Sequence, residues 1–575
     1  MENREQNPRV AKVYGTGSGM PVLNVKTELL LRELYSLPAE DIRDKILDVD
    51  DPKALIQGLP YEDFFWLLKK TGEDDSLPLL ELASADQWQY LLDLELWKKD
   101  RLDVPHTSHW INLLQLANPR QLVRWLFSEA EYLAYYYFFK TLEVVIVNER
   151  DEVLDLPDGF FSLDGVFYIR VIVPEYQESM KNIIRVMVDE DFDRYQALFL
   201  GLAGVLPAEV EEKMYRLKNV RLAEHGFLPY EEAIAVYSPL DAAILKTKGV
   251  QTLPDVIFDE ETCGLVPVIP LAQTETQNLF TDIVSGIRDP LFLERLRLEF
   301  AGLANQILSA DGLILHDLDP LVEVCEKAAR IVNLTIEMEC GSSRLSAEKL
   351  LRSHSLVTLF RVGFGMVLKV KWEAELWLKR SWFYQQGLDP TFWGEHRGDT
   401  LKGLLAKKPQ CYVGTGQTKE YKDFEWISDL RECLKVLRGL MVLDGLLEKL
   451  AESFLLKEDI MRSPELTYRP LLFNLWARRL LKMEPSFSEI SLGQAKSFFS
   501  KLRDRSRKPP YKMSAFKRIF IRDFMSHTTN SDPKAAATLE EVLSQLWKEF
   551  QEEYEQVSLS DLDTRYSKFL TIEIP

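Results

Sequence analysis

A chain of 575 residues, 46% hydrophobic, 28% charged and 11% aromatic, is too apolar to stay disordered and too long for one hydrophobic core. Its formal net charge of −20 disfavours nucleic acid and anionic lipid as average partners, so any anion site must be a local exception. The five cysteines, Cys263, Cys325, Cys340, Cys411 and Cys433, are scattered without a CxxC, which predicts free thiols in a reducing compartment.

Residues 1–27 lack the apolar stretch of a secretory signal and read as a flexible leader. The GTGSG at 15–19 invites comparison with a phosphate-cradling loop, but no good strand precedes it and no helix opens directly from it. The best membrane candidate, 355–370, is interrupted by Arg361 and Lys369, and its uncharged core runs only from Val362 to Leu368. A spanning helix needs about 20 apolar residues. The expectation is a soluble, cytoplasmic chain without a membrane span.

Residues 28–141 carry a helical pattern with a recurring phrase. Leu37-Pro38-Ala39-Glu40-Asp41-Ile42 returns as Leu59-Pro60-Tyr61-Glu62-Asp63-Phe64, 22 residues later. Proline suits a helix start, where an N–H lacks a partner anyway, and the acids meet the positive end of the helix dipole. Short helices follow at Ala85–Leu96, Ser108–Leu116, Arg120–Phe127 and Glu129–Phe139. Units this short must stack on neighbours to bury a face, so an α-solenoid-like array is expected. The cadence resembles the helical-repeat domains of magnesium-transporter N-termini and of the flagellar motor switch protein.

At 142–237 the period changes. Leu142–Val147 and Val166–Val173 are β-branched and aromatic, flanking the turn pairs Asp158-Gly159 and Asp164-Gly165, and predict a small β-hairpin or meander. Helices resume after it, and the phrase recurs at Leu206-Pro207 and Leu228-Pro229, again 22 residues apart. Residues 238–275 read as a connecting segment. A second helical domain spans 276–460, with helices at Asp289–Leu308, Pro320–Met338, Ala347–Trp377 and Trp426–Phe454. The remainder, 461–575, reads as helical with charged linkers and a short extended end at Phe569–Ile574. The fold class is mainly α and multi-helical.

The phrases QWQYLLDLELWKKDRLD at 87–103, FFSLDGVFYI at 160–169 and HSLVTLFRVGFGMVLKV at 354–370 resemble a family of bacterial proteins of this length with a domain of unknown function. That resemblance implies no activity and no catalytic residues.

Five groups of residues could carry chemistry. His106 and His109 form an HxxH pair able to face one metal on a helix; zinc needs further ligands, and Pro105 equally marks a helix entrance. The nearby acids in sequence are Asp100 and Asp103. Acid clusters at 48–51 and at Asp189, Glu190 and Asp191 could hold a divalent cation or cap helices. Cys411 and Cys433, with His396 upstream, would need to converge in space, and Cys433 by itself reads as a buried thiol.

The basic stretch 496–523 sets Arg503, Arg505, Arg507, Lys508, Lys512, Lys517, Arg518 and Arg522 among Tyr511, Phe516 and Phe520. This suits an anionic ligand or, as a weaker alternative, nucleic acid held by phosphate contact and base stacking; it equally suits a solvated basic face with the aromatics turned inward. The tryptophans at 372, 377, 382 and 393 could line a pocket or fill a core. No GxSxG, Walker lysine loop or kinase set is present, so no reaction class is indicated. The leading expectation is a scaffold or adaptor binding another protein rather than nucleic acid. The alternative is an enzyme or sensor with an unfamiliar, possibly cation-binding site.

Overall fold

The computed structural model describes residues 25–98, 100–147, 156–246, 267–272, 276–312, 319–414, 420–454, 456, 466–503, 509–528, 532–562 and 567–573. The GTGSG segment, Cys263, Arg505, Arg507 and Lys508 lie outside these. The chain is mainly helical, and its strands form three small antiparallel pairs among the described residues. No helix among them is long and apolar enough to cross a membrane.

Two compact units emerge. The first comprises Met1–Ser238, Leu245–Ala329 and Ser343–Leu359; the second comprises Pro239–Ile244, Arg330–Ser342 and Phe360–Pro575.

The first unit opens with short helices: α1 (Val25–Ser36), α2 (Ala39–Leu47), α3 (Pro52–Gln57), α4 (Tyr61–Thr71), α5 (Leu77–Leu82) and α6 (Ala85–Glu95). The recurring phrase does start helices, with one difference of detail. Pro38 and Pro60 are N-caps rather than first-turn residues, with ψ of 153° and 147°. The N-cap keeps a non-helical backbone while its carbonyl accepts the first helical bond, and proline's fixed φ fits that position. Helix α4 is buried almost all round, from Glu62 through Lys69, so both apolar and charged side chains face protein. Gln87 on α6 spans two turns of chain by donating to the carbonyls of Ile56 (2.7 Å) and Leu59 (3.2 Å).

The two-residue strands β1 (Trp97–Lys98) and β2 (Arg101–Leu102) lead to α7 (Val104–Ala117), α8 (Pro119–Leu126) and α9 (Glu131–Thr141). The expected hairpin is present. Strand β3 (Leu142–Ile146) pairs antiparallel with β4 (Phe167–Val171), Val144 opposite Ile169. Then come α10 (Gln177–Glu190), α11 (Phe192–Gly201), α12 (Pro207–Glu224), α13 (Tyr230–Ala233), α14 (Ile269–Ala272), α15 (Leu279–Gly286) and α16 (Pro290–Asp311).

Helix α17 (Asp319–Cys340) comes next. The helix read over 347–377 is two helices, α18 (Arg344–Ser353) and α19 (Leu356–Leu378). His354 is extended, and the Ser355 hydroxyl accepts the Thr358 N–H at 3.3 Å, capping the second helix. An apolar pattern can run through such a break, because capping is decided by one side chain.

The second unit contains α20 (Trp382–Gln385), α21 (Glu395–Leu405), the strands β5 (Cys411–Tyr412) and β6 (Tyr421–Lys422), and the long helix α22 (Ile427–Ser453). Four more helices follow: α23 (Tyr468–Leu480), α24 (Leu492–Leu502), α25 (Lys517–Met525) and α26 (Pro533–Tyr554). Its core is aromatic, with Phe473 and Phe550 stacked at 4.3 Å and Trp476 edge-on to Trp547 at 5.5 Å. Trp377, Trp382, Phe383, Phe392 and Trp393 join this core, whereas Trp372 and Tyr384 are exposed. The extended C-terminal stretch reaches a parallel bridge between Ile572 and Ile490.

Gly398 on α21 lies so close to the turn at Pro390 that a Cβ would sit 2.2 Å from the Pro390 carbonyl oxygen. Gly445 on α22 has nothing within 4 Å of such a Cβ. Gly398→Ala should therefore lose about 1–3 kcal/mol by overpacking. Gly445→Ala should gain about 0.5–1 kcal/mol from helix propensity. Denaturant midpoints of the two variants check the opposite signs.

Candidate functional site

The first unit buries charged side chains around α4, α6, α7 and α12. Lys69, near the end of α4, has a side chain only 1% exposed. Gly72 ends that helix with φ at 92°, a left-handed conformation that glycine adopts without strain, and the chain turns so that Glu73 comes back over Lys69. The ammonium then lies 3.0 Å from Glu73 Oε1 and 2.7 Å from Glu95 Oε1, with Glu95 also 1% exposed. The rings of Phe65 and Trp110 lie 5.8 Å from the same nitrogen.

Helix α7 completes the group. Asp103 is its N-cap and accepts the His106 N–H at 3.4 Å, so the predicted helix entrance is there. One turn apart, His106 and His109 have rings 6.1 Å apart and nearly parallel. Unlike the sequence reading, which looked to Asp100 and Asp103, the carboxylates that reach the imidazoles are Glu73 and Glu95. His106 Nε2 is 3.3 Å from Glu95 Oε2, and His109 Nε2 is 3.2 Å from Glu73 Oε2. Trp110 donates its indole N–H to His106 Nε2 at 3.1 Å. That bond occupies the Nε2 lone pair, so a metal approaching this nitrogen would have to displace the indole N–H.

One ligand atom each from Glu73, Glu95 and His106 lies within 4.8 Å of the others. Among the described residues this is the one such cluster of three. Burial opposes ionisation of Glu73, but the charge and hydrogen bond of Lys69, with His106 and His109, hold its carboxyl below the usual range.

The same unit buries further carboxylates, among them Glu62, Asp63, Asp93 and Glu211. Arg221 on α12 forms a two-pronged pair with Asp93, at 2.6 and 2.7 Å. Glu211 accepts from Arg101 (2.7 Å), the Leu102 N–H and Tyr136 Oη (both 3.0 Å). A cavity of about 40 Å³, room for a water, lies beside Asp93 and Arg221. Its wall includes Trp125, whose indole N–H has no hydrogen-bond partner among the described residues. His225 Nδ1 is 2.7 Å from Glu62. Burial lowers the His225 pKa, but the Glu62 hydrogen bond and charge more than offset this, and the net direction is upward. Asp63, fully buried, accepts the backbone N–H groups of Val268 and Ile269 at the start of α14. Burial pushes its carboxyl up to about 7 despite those bonds.

The chain belongs to the family of unknown function DUF6178. The family model matches residues 23–573, nearly the whole chain. No curated protein and no solved structure matches it.

Other expected sites are placed as follows. Asp51 and Asp191 cap α3 and α11, accepting from Ala54 and Arg194. Glu190 pairs with Arg120 and Arg124. In the basic stretch, Lys512, Arg518 and Arg522 are exposed and Lys517 half-buried. Arg503 is turned inward, its guanidinium 3.9 Å above Tyr511, and it donates to the Val557 carbonyl. Phe520 and Phe524 are core residues, with Phe516 and Ile519 half-buried. The aromatic partners a base-stacking surface needs are thus largely engaged in packing.

The sequence reading missed Lys69, Glu73 and Glu95. A usable signal existed: Asp93 and Glu95 interrupt the apolar run LLDLEL, so at least one had to be buried.

The pH dependence follows. A carboxyl raised to about 7 keeps its proton in the folded state where the unfolded chain has released it, so stability falls as pH rises from about 3.8 to about 7. The raised imidazole acts in the same direction, its contribution present below the unfolded value of 6.5 and lost above the folded one. Asp63→Asn should flatten the decline in unfolding free energy between about pH 4 and 7, a slope of up to about 1.4 kcal/mol per pH unit. Urea titrations at several pH values check this; parallel profiles for both proteins would contradict it.

Proposed function

We propose that the chain binds a divalent transition-metal ion through Glu73, Glu95 and His106, with His109 alongside Glu73. The convergence of three ligand atoms within 4.8 Å, from two helices and the turn after a third, carries the reading. A mixed carboxylate–imidazole set without thiolate suits zinc, manganese or cobalt better than magnesium or calcium, which favour all-oxygen shells. Three protein ligands leave a position for water or a substrate donor, as in catalytic rather than closed structural sites. This supports a metal-dependent enzyme or sensor.

Lys69 is the physical competitor. Its ammonium balances the same two carboxylates, so an incoming ion must displace it or its proton. Zinc affinity should therefore fall as pH is lowered. Isothermal titration of the full chain with zinc should show one site that weakens at least tenfold in Glu95→Gln and His106→Ala. In Lys69→Met the affinity should rise. An absence of zinc binding in both the natural chain and Lys69→Met would refute the site. A melting shift should accompany binding, since a ligand at about 100 times its Kd adds about 2.7 kcal/mol.

A second reading, a cytoplasmic adaptor with stacked helical repeats, is favoured by exposed apolar side chains in and around α11 and α12. These include Phe192, Leu200, Leu206, Leu217 and Val220, each at least 40% exposed. Large exposed apolar groups are common in binding surfaces when they form a patch. A protein partner should then co-purify reproducibly and be lost from Leu206→Asp and Val220→Asp variants. Unchanged capture by both variants would count against this surface.

A further inference from the structure

The second unit holds a thiol pair that the metal reading does not use. Strand β5 carries Cys411, paired opposite Lys422, and the hairpin is held close to α21. Gln410 donates its N–H to the Gly403 carbonyl at 3.0 Å. A Cβ on Gly403 would come within 2.6 Å of the Gln410 carbonyl oxygen. On the other side, Asp429 fixes the start of α22 by accepting the Trp426 N–H at 2.9 Å. One turn further along α22 is Cys433, 3% exposed. These anchored elements bring the two side chains together: the Cys433 thiol is the hydrogen-bond partner of the Cys411 sulfur. The Cys411 thiol in turn points to the Tyr412 carbonyl, 3.8 Å away.

The two sulfurs are unequal. Cys411 is half-buried and within reach of a small molecule, whereas Cys433 is enclosed. The hydrogen bond from Cys433 holds the Cys411 thiol below its ordinary range, against burial and the charges of Asp429 and Glu432. The same bond and burial push Cys433 up. Donation from one thiol to the other is the arrangement that makes the accepting sulfur the better nucleophile. Cys325, fully enclosed, has its thiol pushed well up by burial. Among the described residues, no histidine or carboxylate joins the two sulfurs in a ligand cluster, which favours a covalent over a metal-bound fate.

We propose that Cys411 and Cys433 are a redox-active dithiol that a peroxide converts to an intramolecular disulfide linking the hairpin to α22. The Cys411 thiolate attacks one peroxide oxygen and the O–O bond breaks. The departing hydroxide takes the thiol proton as water, leaving a sulfenic acid on Cys411. The Cys433 sulfur then attacks the Cys411 sulfur, the S–O bond breaks, and the hydroxyl leaves as a second water with the Cys433 proton. Two thiols are oxidised by two electrons and one peroxide is reduced to two waters. The second step joins two sulfurs that are already hydrogen-bond partners.

The test uses the full chain treated with hydrogen peroxide, quenched with N-ethylmaleimide and digested for mass spectrometry. A peptide pair joined through Cys411 and Cys433, released by dithiothreitol, is expected. Cys433→Ser should stop at the sulfenic acid, trapped as a dimedone adduct on Cys411. Cys411→Ser should leave Cys433 a thiol at the same peroxide dose. The proposal is overturned if the natural chain gives no such cross-link, or if Cys411 advances to sulfinic acid while Cys433 stays reduced. Zinc binding is read separately, so failure here leaves the metal reading standing and the reverse also holds.

Discussion

An ammonium group with 1% side-chain exposure has to be answered by negative charge within hydrogen-bonding reach, and in the first unit Lys69 is answered by Glu95 and Glu73. Isolated, each of these ions would carry a desolvation penalty of several kcal/mol. Together they neutralise one another and fix the relative positions of α4, α6 and the turn at Gly72. The histidines of α7 are then drawn in, because Glu95 and Glu73 have oxygens left to pair with His106 and His109. Buried ion groups of this kind contribute little net stability compared with an apolar core.

The second unit is built on the opposite principle. Its helices meet through aromatic faces, from Trp377 and Phe392 to Phe473, Trp476 and Phe550. Its buried carboxylate Asp444 serves backbone, accepting the Trp382 and Phe383 N–H groups at 3.1 and 2.9 Å and so starting α20. Ring stacking also explains why the basic stretch is a poor base-stacking surface. Within the helix Lys517–Met525, the turn that leaves Arg518 and Arg522 exposed carries Phe520 and Phe524 into the core.

Much of the fold was legible because it rests on neighbours in the chain. The prolines of the recurring phrase start helices, as at Pro207, and the β-branched runs on either side of Asp164-Gly165 pair as strands. The break between α18 and α19 was not legible, since an apolar stripe continues across it while a single serine caps the new helix. The metal candidates were legible only in part. His106 and His109 announce themselves by spacing, whereas Glu73 and Glu95 resemble the many other acids of a chain with 90 aspartates and glutamates.

By itself, then, the sequence determined a mainly helical chain and where many of its helices begin, since those depend on periodicity and capping within a few residues. Tertiary packing alone decided that Glu73, Glu95 and His106 meet, and that Cys411 faces Cys433. Those meetings depend on how separate elements lean on one another, and residues brought together by long-range burial carry no mark of it in their local spacing.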